Sequence, residues 1–333
     1  MRSLLKFSHL VAGIFASLLF WTPGLSLAGF REARCPDAAE RGRFNVLTIN
    51  LLFTEIANRE TRLQSIANFI GQQAEAGEPV DIVLLQEVVG GELAGTMNSS
   101  LDLDQMLASR GIEYNLRYRQ ANGVPGLLTV GNTILSRCEI IATLSKELPS
   151  VLEVPVQGFE IELSRKIMMT RVDVPSFGRI NVYNTHLCSF CDPRDRLEQA
   201  RLLFQFLGKV ESSVGKDNPI ILGGDFNTNR NLPDDLPVYE LITENNRFID
   251  TYATLNGCTN CCSESEGLAG CTFAVPGDPF AIDPFTGQIE EPVRIDYIFI
   301  RGTSLEIEKS DVVFNSNPWA SDHSGVLTRI KLR

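Results

Sequence analysis

Two short runs, DIVLLQEV at 81–88 and NPIILGGDFNT at 218–228, constrain the fold more than anything else in the chain. Each is apolar at consecutive rather than alternate positions, as a strand covered on both faces must be. A half-exposed strand would alternate. Each run also carries polar residues at its carboxyl end, Glu87 in the first, Asp225 and Asn227 in the second.

Other stretches share this character. RFNVLTINLLF carries Asn50 inside a buried run, NVYNTHL carries Asn184 and His186, RIDYIF carries Asp296, and SDHSGV carries Asp322 and His323 ahead of the last strand. Between the first two runs, Leu63, Ile66, Ala67, Ile70 and Ala74 recur at helical spacing and Gly77 stops the pattern, giving strand, helix, strand. Five runs in the middle of the chain read as successive strands. A helix is expected from about Arg194 to Val210 and a shorter one near Val238 to Asn245. A Cys- and Pro-rich loop at about 253–292 and three closing strands follow. Strands outnumber helices, and most helices lie between strands. The fold class expected is α/β, a four-layered sandwich of two packed mixed β-sheets flanked by helices.

The first 28 residues read as a secretory leader: Arg2 and Lys6 precede an apolar run from Leu10 to Trp21, followed by Pro23 and the small residues Ser26 and Ala28. The run is short for a bilayer, which needs about 20 residues. Cleavage would leave residues 29–333, expected to be a single domain in a secreted or periplasmic protein. It would also leave 28 basic against 41 acidic residues, a net charge of −13, and only two histidines, His186 and His323. An acidic chain is a poor generic binder of nucleic acid. All eight cysteines follow the leader, so disulfides are the default, with CSFC at 188–191 and CTNCC at 258–262 as the less favoured zinc ligands.

A buried strand tolerates an acid or an amide only where it is paired or coordinates something. Singly, each polar residue has a bland reading: Asn50 as a turn cap, Glu87 as half of an ion pair, Asp296 paired with Arg294. Together they imply one shared site. Carboxylates and amides make an oxygen-rich set suited to Mg²⁺, with Mn²⁺ or Ca²⁺ as alternatives. A histidine beside a carboxylate can handle protons near neutrality. The chemistry expected is metal-assisted hydrolysis of a phosphoester. A serine hydrolase lacks its G-x-S-x-G elbow here, and GGDFN lacks the spacing of a phosphate-binding glycine loop.

TINLL, LLQEV, GNTILSR, NVYNTHL, GGDFNT, RIDYIF and SDHSGV, in that order, resemble the motif series of the endonuclease/exonuclease/phosphatase superfamily, the DNase I-like fold. The resemblance implies that Glu87 binds the metal with Asn50 and Asp322 nearby, and that Asp225 positions or deprotonates the attacking water. It implies further that Asn227 and Asn184 hold substrate, that His323 is general base or donor oriented by Asp296, and that His186 bonds a phosphate oxygen or assists the leaving group. Whether His323 or Asp225 takes the proton is left open.

The layout from FIDTYATLNG through GCTFAVPGDPFA to RIDY is similar to that of neutral sphingomyelinases. The substrate expected is therefore a phosphodiester, a phospholipid headgroup ahead of nucleic acid, with no obligate protein partner. Phe273, Val275, Phe280, Ile282 and Phe285 either make peripheral contact with a membrane or pack beneath the stapled loop. Arg194, Arg196 and Arg201 either form a phosphate-facing strip, as a secreted DNase I-like endonuclease would want, or are simply solvated. A non-catalytic binding relative would have lost Glu87, Asp225 or His323, and all three are present.

Overall fold

The strand, helix, strand opening becomes a parallel pair joined by a crossover helix. In a computed structural model, the described residues are 35–55, 58–149, 153–156, 159–162, 164–189, 191–214, 218–282 and 287–333. Residues 1–28, expected to be a leader, and Phe285 lie outside them. The elements in order are α1 (Pro36–Arg41), β1 (Arg43–Asn50), α2 (Arg59–Glu75), β2 (Ile82–Gly90), α3 (Ser99–Ala108), β3 (Asn115–Val124), β4 (Leu128–Ser136) and β5 (Glu139–Leu148). There follow β6 (Glu153–Val156), β7 (Phe159–Glu162), β8 (Arg165–Val174), β9 (Gly178–His186), α4 (Pro193–Val214), β10 (Ile220–Asp225) and α5 (Leu236–Glu240). The chain closes with β11 (Ile249–Asp250), α6 (Thr251–Asn256), β12 (Asp296–Arg301), β13 (Leu305–Val313) and β14 (Gly325–Leu332).

One six-stranded sheet has the order β13-β14-β1-β2-β4-β3, the other β11-β12-β10-β9-β8-β5, and β6 pairs with β7 apart from both. Each six-stranded sheet has one parallel pair at its centre, β1 with β2 and β9 with β10, and antiparallel pairings elsewhere. Parallel neighbours need a crossover, and α2 and α4 supply one each. Leu63, Ile66 and Ile70 of α2 pack on Leu47, Ile49 and Leu85, while Ala200, Leu203 and Leu207 of α4 pack on Tyr183, Leu222 and Phe299. Between the sheets, Val46, Ile82 and Leu84 meet Val182, Ile221 and Ile298. The result is helix, sheet, sheet, helix, the sandwich expected.

Side chains alternate along a strand, so the inner face can be read out in steps of two. It runs Val46, Thr48, Asn50 on β1, Val182, Asn184, His186 on β9, and Ile221, Gly223, Asp225 on β10, all buried. The inter-sheet layer is apolar at one end and polar at the other, and the polar end coincides with the carboxyl ends of both parallel pairs. Gly224, at φ 134°, allows the close approach that this needs, because a Cβ there would strike Thr185 O on β9.

The strand readings of the middle region hold, and α4 is longer than expected at both ends. The second short helix is α5, followed by a π-helical turn at Leu241–Asn245. Helix α3 was not anticipated: its SSLDLDQMLA lacks a clean apolar period, and its start is set by the Asn98 side chain accepting from Ser100 N. The Cys-rich loop begins inside α6 and is stapled by Cys258–Cys261 and Cys262–Cys271, and a third disulfide joins Cys35 to Cys138.

Candidate active site

Strand register alone assembles half of the site. His186 lies opposite Asp225 on the parallel partner, and Asp225 lies opposite Asp296 on the antiparallel one, so three adjacent strands form one buried row. The loop before β14 adds His323, whose backbone bridges to Phe273 and whose ring packs against the Phe273 ring at 4.9 Å between centroids. His323 Nδ1 lies 2.8 Å from Asp296 Oδ2, and His323 Nε2 is 3.9 Å from Asp225 Oδ2.

Asp225 Oδ2 is the hub. It accepts from Asn50 Nδ2 at 3.0 Å and lies 3.4 Å from His186 Nε2, while Oδ1 accepts from the Asn227 backbone N–H at 2.9 Å. Asn227 adopts a left-handed φ of 48°, and its side chain donates to Leu187 O at 3.0 Å. On the far side of His186, Arg165 Nη1 sits 3.4 Å from Nδ1. A guanidinium can only donate. Nδ1 therefore accepts, and the ring proton rests on Nε2, facing Asp225.

Burial and neighbouring charge set the protonation states. Burial, reinforced by Asp296, pushes Asp225 up to about 7 against the opposing pull of His323, Asn50 and the Asn227 N–H. Burial alone would depress His323, but Asp296, Asp322 and Asp225 outweigh it and hold His323 well above its ordinary value. His186 goes the other way, depressed by burial and by the charges of Arg165 and His323. The row thus combines a proton acceptor near neutrality, a proton-bearing imidazolium and a neutral imidazole, the separation of roles that acid–base chemistry requires.

Glu87 and Asp322 form the oxygen-rich edge. A register shift between Leu85 and Val88 and a left-handed φ of 55° at Glu87 turn its carboxylate off the regular pleat, where Oε2 accepts from Phe53 N at 2.9 Å. Asp322 Oδ1 accepts from Ser321 Oγ at 3.0 Å, and burial raises the Asp322 carboxyl, with the Glu87 charge adding to it. Nearby Arg62 spends its terminal N–H groups on the carbonyls of Leu51, Leu52, Glu55 and Ala320, at 2.6, 3.1, 2.9 and 2.9 Å. Among the described residues neither Glu87 nor Asp322 makes an ion pair. Two gathered carboxylates with no ion-pair partner of their own among the described residues fit a hard divalent ion, which Glu87 and Asp322 would hold and which would offset charge developing on a phosphate. Asn50 is committed to Asp225 and, through Oδ1, to Leu52 N at 3.0 Å. Asp225, Asp296 and His323 also present ligand atoms within 4.8 Å of one another, but each is already bonded within the row, so the row is assigned the proton chemistry. Cys258 and Cys261, which gather with Glu266, are joined as a disulfide and are no zinc site.

Asn184, expected to hold substrate, is fully buried, donates to Leu85 O and Thr133 O at 3.0 and 2.8 Å, and accepts from Gln86 Nε2 at 2.7 Å, tying the two sheets together beneath His186. Arg294 does not pair with Asp296 but with Asp250, at 2.7 and 2.8 Å. The arginines of α4 form no strip: Arg196 is buried against Asp235, while Arg194 pairs with Asp192 and Arg201 with Glu198. Of the loop's apolar residues, Val275 packs on the Cys262–Cys271 staple, Phe273 on His323, and Phe280 lies under Arg62 at 5.7 Å. Ile282 is 48% exposed.

Three residues near the site were not anticipated. Arg62 and Arg165 carried no signal beyond their charge. Asp278 lay in a PGDP stretch that reads as a turn; it is buried, Oδ2 has no partner, and burial, with Asp322 adding, raises its carboxyl to about 6 against the opposing Phe280 N–H. A cleft of about 470 Å³ between Tyr252, Asn256 and Asp311 shares no lining residue with the row. Chemistry, not concavity, marks the site.

Two mixed sheets with acids, amides and imidazoles gathered at the carboxyl ends of their parallel strands define a class of hydrolases acting on phosphoester bonds. The chain belongs to the endonuclease/exonuclease/phosphatase family, whose family model matches residues 47–323. Members of that family are generally phosphoester hydrolases and typically use divalent metals. No curated protein matches the chain in sequence. Among solved structures, an endonuclease/exonuclease/phosphatase from Beutenbergia cavernae is similar at 22% identity and TM-score 0.61, covering 87% of this chain and 72% of that one. A mannosyl-6-phosphatase of Bacteroides thetaiotaomicron is similar at 20% identity and TM-score 0.58, covering 86% and 99%. TDP2 of D. rerio, complexed with a single-strand DNA product, is similar at 16% identity and TM-score 0.59, covering 86% and 98%. At these identities the likeness is one of fold.

Proposed function

We propose that the chain is an exported, divalent-metal-dependent phosphodiesterase, sphingomyelinase-like in releasing a phosphorylated headgroup. The observation that carries the catalytic part is the buried row in which Asp225 Oδ2 lies 3.9 Å from His323 Nε2 and 3.4 Å from His186 Nε2, with His323 Nδ1 2.8 Å from Asp296 Oδ2. Asp225 takes the proton of the attacking water, His323 donates to the oxygen that gains charge, and Asp296 fixes the His323 ring. His186 offers its Nε2–H beside Asp225, and Glu87 and Asp322 would hold a cation such as Mg²⁺, which would offset the phosphate charge. Export is supported by the leader composition at 1–28 and by three disulfides among the described residues.

The headgroup reading is supported by the net charge of −11 and by the pairing of exposed Arg194 and Arg201 with neighbouring carboxylates, since polymeric phosphate is bound chiefly by Lys and Arg. The test is a side-by-side assay of the purified chain with Mg²⁺ on sphingomyelin vesicles, plasmid DNA, inositol phosphates and a hexose 6-phosphate. Phosphocholine release faster than DNA nicking, abolished by chelator and restored by Mg²⁺, is expected. Nicking alone would replace the substrate by nucleic acid. Inactivity on every substrate with every divalent ion would sink the enzyme reading.

A further inference from the structure

Directly after His186 the chain reads LCSFC, and the site described above uses neither cysteine. Cys188 is buried and Cys191 partly exposed, and both are free while the other six cysteines are paired. Cys191 Sγ points back at Cys188 O, 3.5 Å away. The same Cys-x-x-Cys spacing is closed elsewhere in this molecule, at Cys258–Cys261, where the Cα atoms are 5.2 Å apart. The spacing therefore permits closure in this chain.

The pair is also wired to the row. Leu187, between His186 and Cys188, donates its N–H to Asp225 O at 2.9 Å and accepts from the Asn227 side chain at 3.0 Å. Arg165 reaches both His186 Nδ1 at 3.4 Å and Ser189 Oγ at 3.2 Å. Arg196 donates to Cys188 O and Ser189 O at 2.8 and 3.0 Å, and Gln199 Oε1 accepts from Cys188 N at 2.9 Å. Among the described residues, the polar anchors of the turn that carries the cysteines run to Asp225, to Asn227, to Arg165, which also reaches His186, and to the first turns of α4.

We propose that Cys188 and Cys191 form a thiol–disulfide exchange site whose closure repositions His186. The hydrogen bond from Cys191 lowers Cys188 to about 7, against burial and together with the charges of Arg165 and Arg196, whereas the Cys191 thiol is raised. The co-reactant is a disulfide, RSSR, of the small-molecule kind that an oxidising compartment supplies. The partly exposed Cys191 sulfur attacks one sulfur of RSSR as its proton passes to the Cys188 thiolate, giving a Cys191–SR mixed disulfide and one thiolate RS⁻. Cys188 gives its proton to that RS⁻, and the Cys188 thiolate then attacks Cys191 Sγ and expels the second sulfur. The balance is one protein thiol, one protein thiolate and RSSR to one protein disulfide, one RSH and one RS⁻.

The experiment uses the two histidines left after cleavage of the leader. The purified chain is equilibrated across a series of oxidised to reduced glutathione ratios. Free thiols are counted by alkylation and intact mass, and the ring resonances of His186, identified by their loss in His186→Asn, are followed in parallel. Two thiols should disappear together, and the His186 resonances should move with the same midpoint. Cys191→Ser should abolish both transitions, and Cys258→Ser, which alters the other Cys-x-x-Cys pair, should leave both in place. The proposal is overturned if no second thiol is lost at any ratio, or if the pair closes while His186 stays unmoved. Neither readout requires phosphoester hydrolysis, so its failure is distinguishable from failure of the proposed function.

Discussion

Arg294 and Asp296 are two residues apart at the start of β12, both fully buried, and they belong to opposite kinds of charge cluster. Arg294 grips Asp250 with two bonds of 2.7 and 2.8 Å and lies over the rings of Tyr297 and Tyr252 at 4.4 and 5.1 Å. Asp250 also accepts from Tyr239 OH and Ala253 N. Burial would raise the Asp250 carboxyl, but the Arg294 charge and these bonds hold it below its ordinary value. Asp296 has one oxygen on His323 and the other, Oδ1, buried without a partner, and its charge helps to raise Asp225. The first cluster is matched in charge, as a structural ion pair must be to repay its desolvation, although Arg294 Nε is buried without a hydrogen-bond partner. The second is short of compensation, the mark of a group kept for chemistry.

The largest effect that would break this contrast is on stability. Arg294→Met leaves Asp250 charged and unpaired in the core, which should cost about 3–5 kcal/mol of folding free energy. Chemical denaturation checks it, and wild-type stability in that variant would mean that the pair is not what holds this corner. His323→Ala should act chiefly on chemistry, lowering turnover by roughly a hundredfold or more, the scale of lost acid–base catalysis, while the chain still folds cooperatively. A variant that unfolds, or one that stays active, would erase the distinction between the two clusters.

The contrast also shows what was legible in the sequence. The strands, the crossover helices and the positions of Glu87, Asp225, Asp296 and His323 follow from apolar runs interrupted by acids, because period and interruption are local properties. Which acid meets which base is not local. RID reads as an ion pair within one strand, yet its arginine pairs with Asp250 on the antiparallel neighbour β11 while its aspartate turns to a loop 27 residues further on. Asn184 looked like part of the site for the same reason that His186 did, a polar residue on the inner face near a strand end. Two residues of depth separate a side chain that meets the other sheet from one that reaches the row. Arg62, Arg165 and Asp278 were invisible because their roles depend on what the loops bring beside them.

The smallest and most discriminating effect is the sign of a pH slope. Asp250 has a depressed folded-state pKa, so its contribution is fully present above the unfolded value of about 3.9 and is lost as pH falls through the lower folded value. Asp225 is the unusual case, an aspartate raised to about 7. The folded chain then keeps a proton that the unfolded chain gives up at about 3.9, so stability falls as pH rises through that window and levels off above about 7. His323 is also raised, but its contribution is complete below the unfolded histidine value of about 6.5 and is lost only above it, outside most of the same window. Asp225→Asn in chelator-treated protein should therefore remove one proton's share of the fall in stability between about pH 4 and 7, leaving the shares of Asp81 and Asp278, both raised to about 6, and the acid limb set by Asp250 unchanged. An identical slope in variant and wild type would mean that Asp225 is ionised throughout, and the assignment of Asp225 as the proton acceptor would go with it.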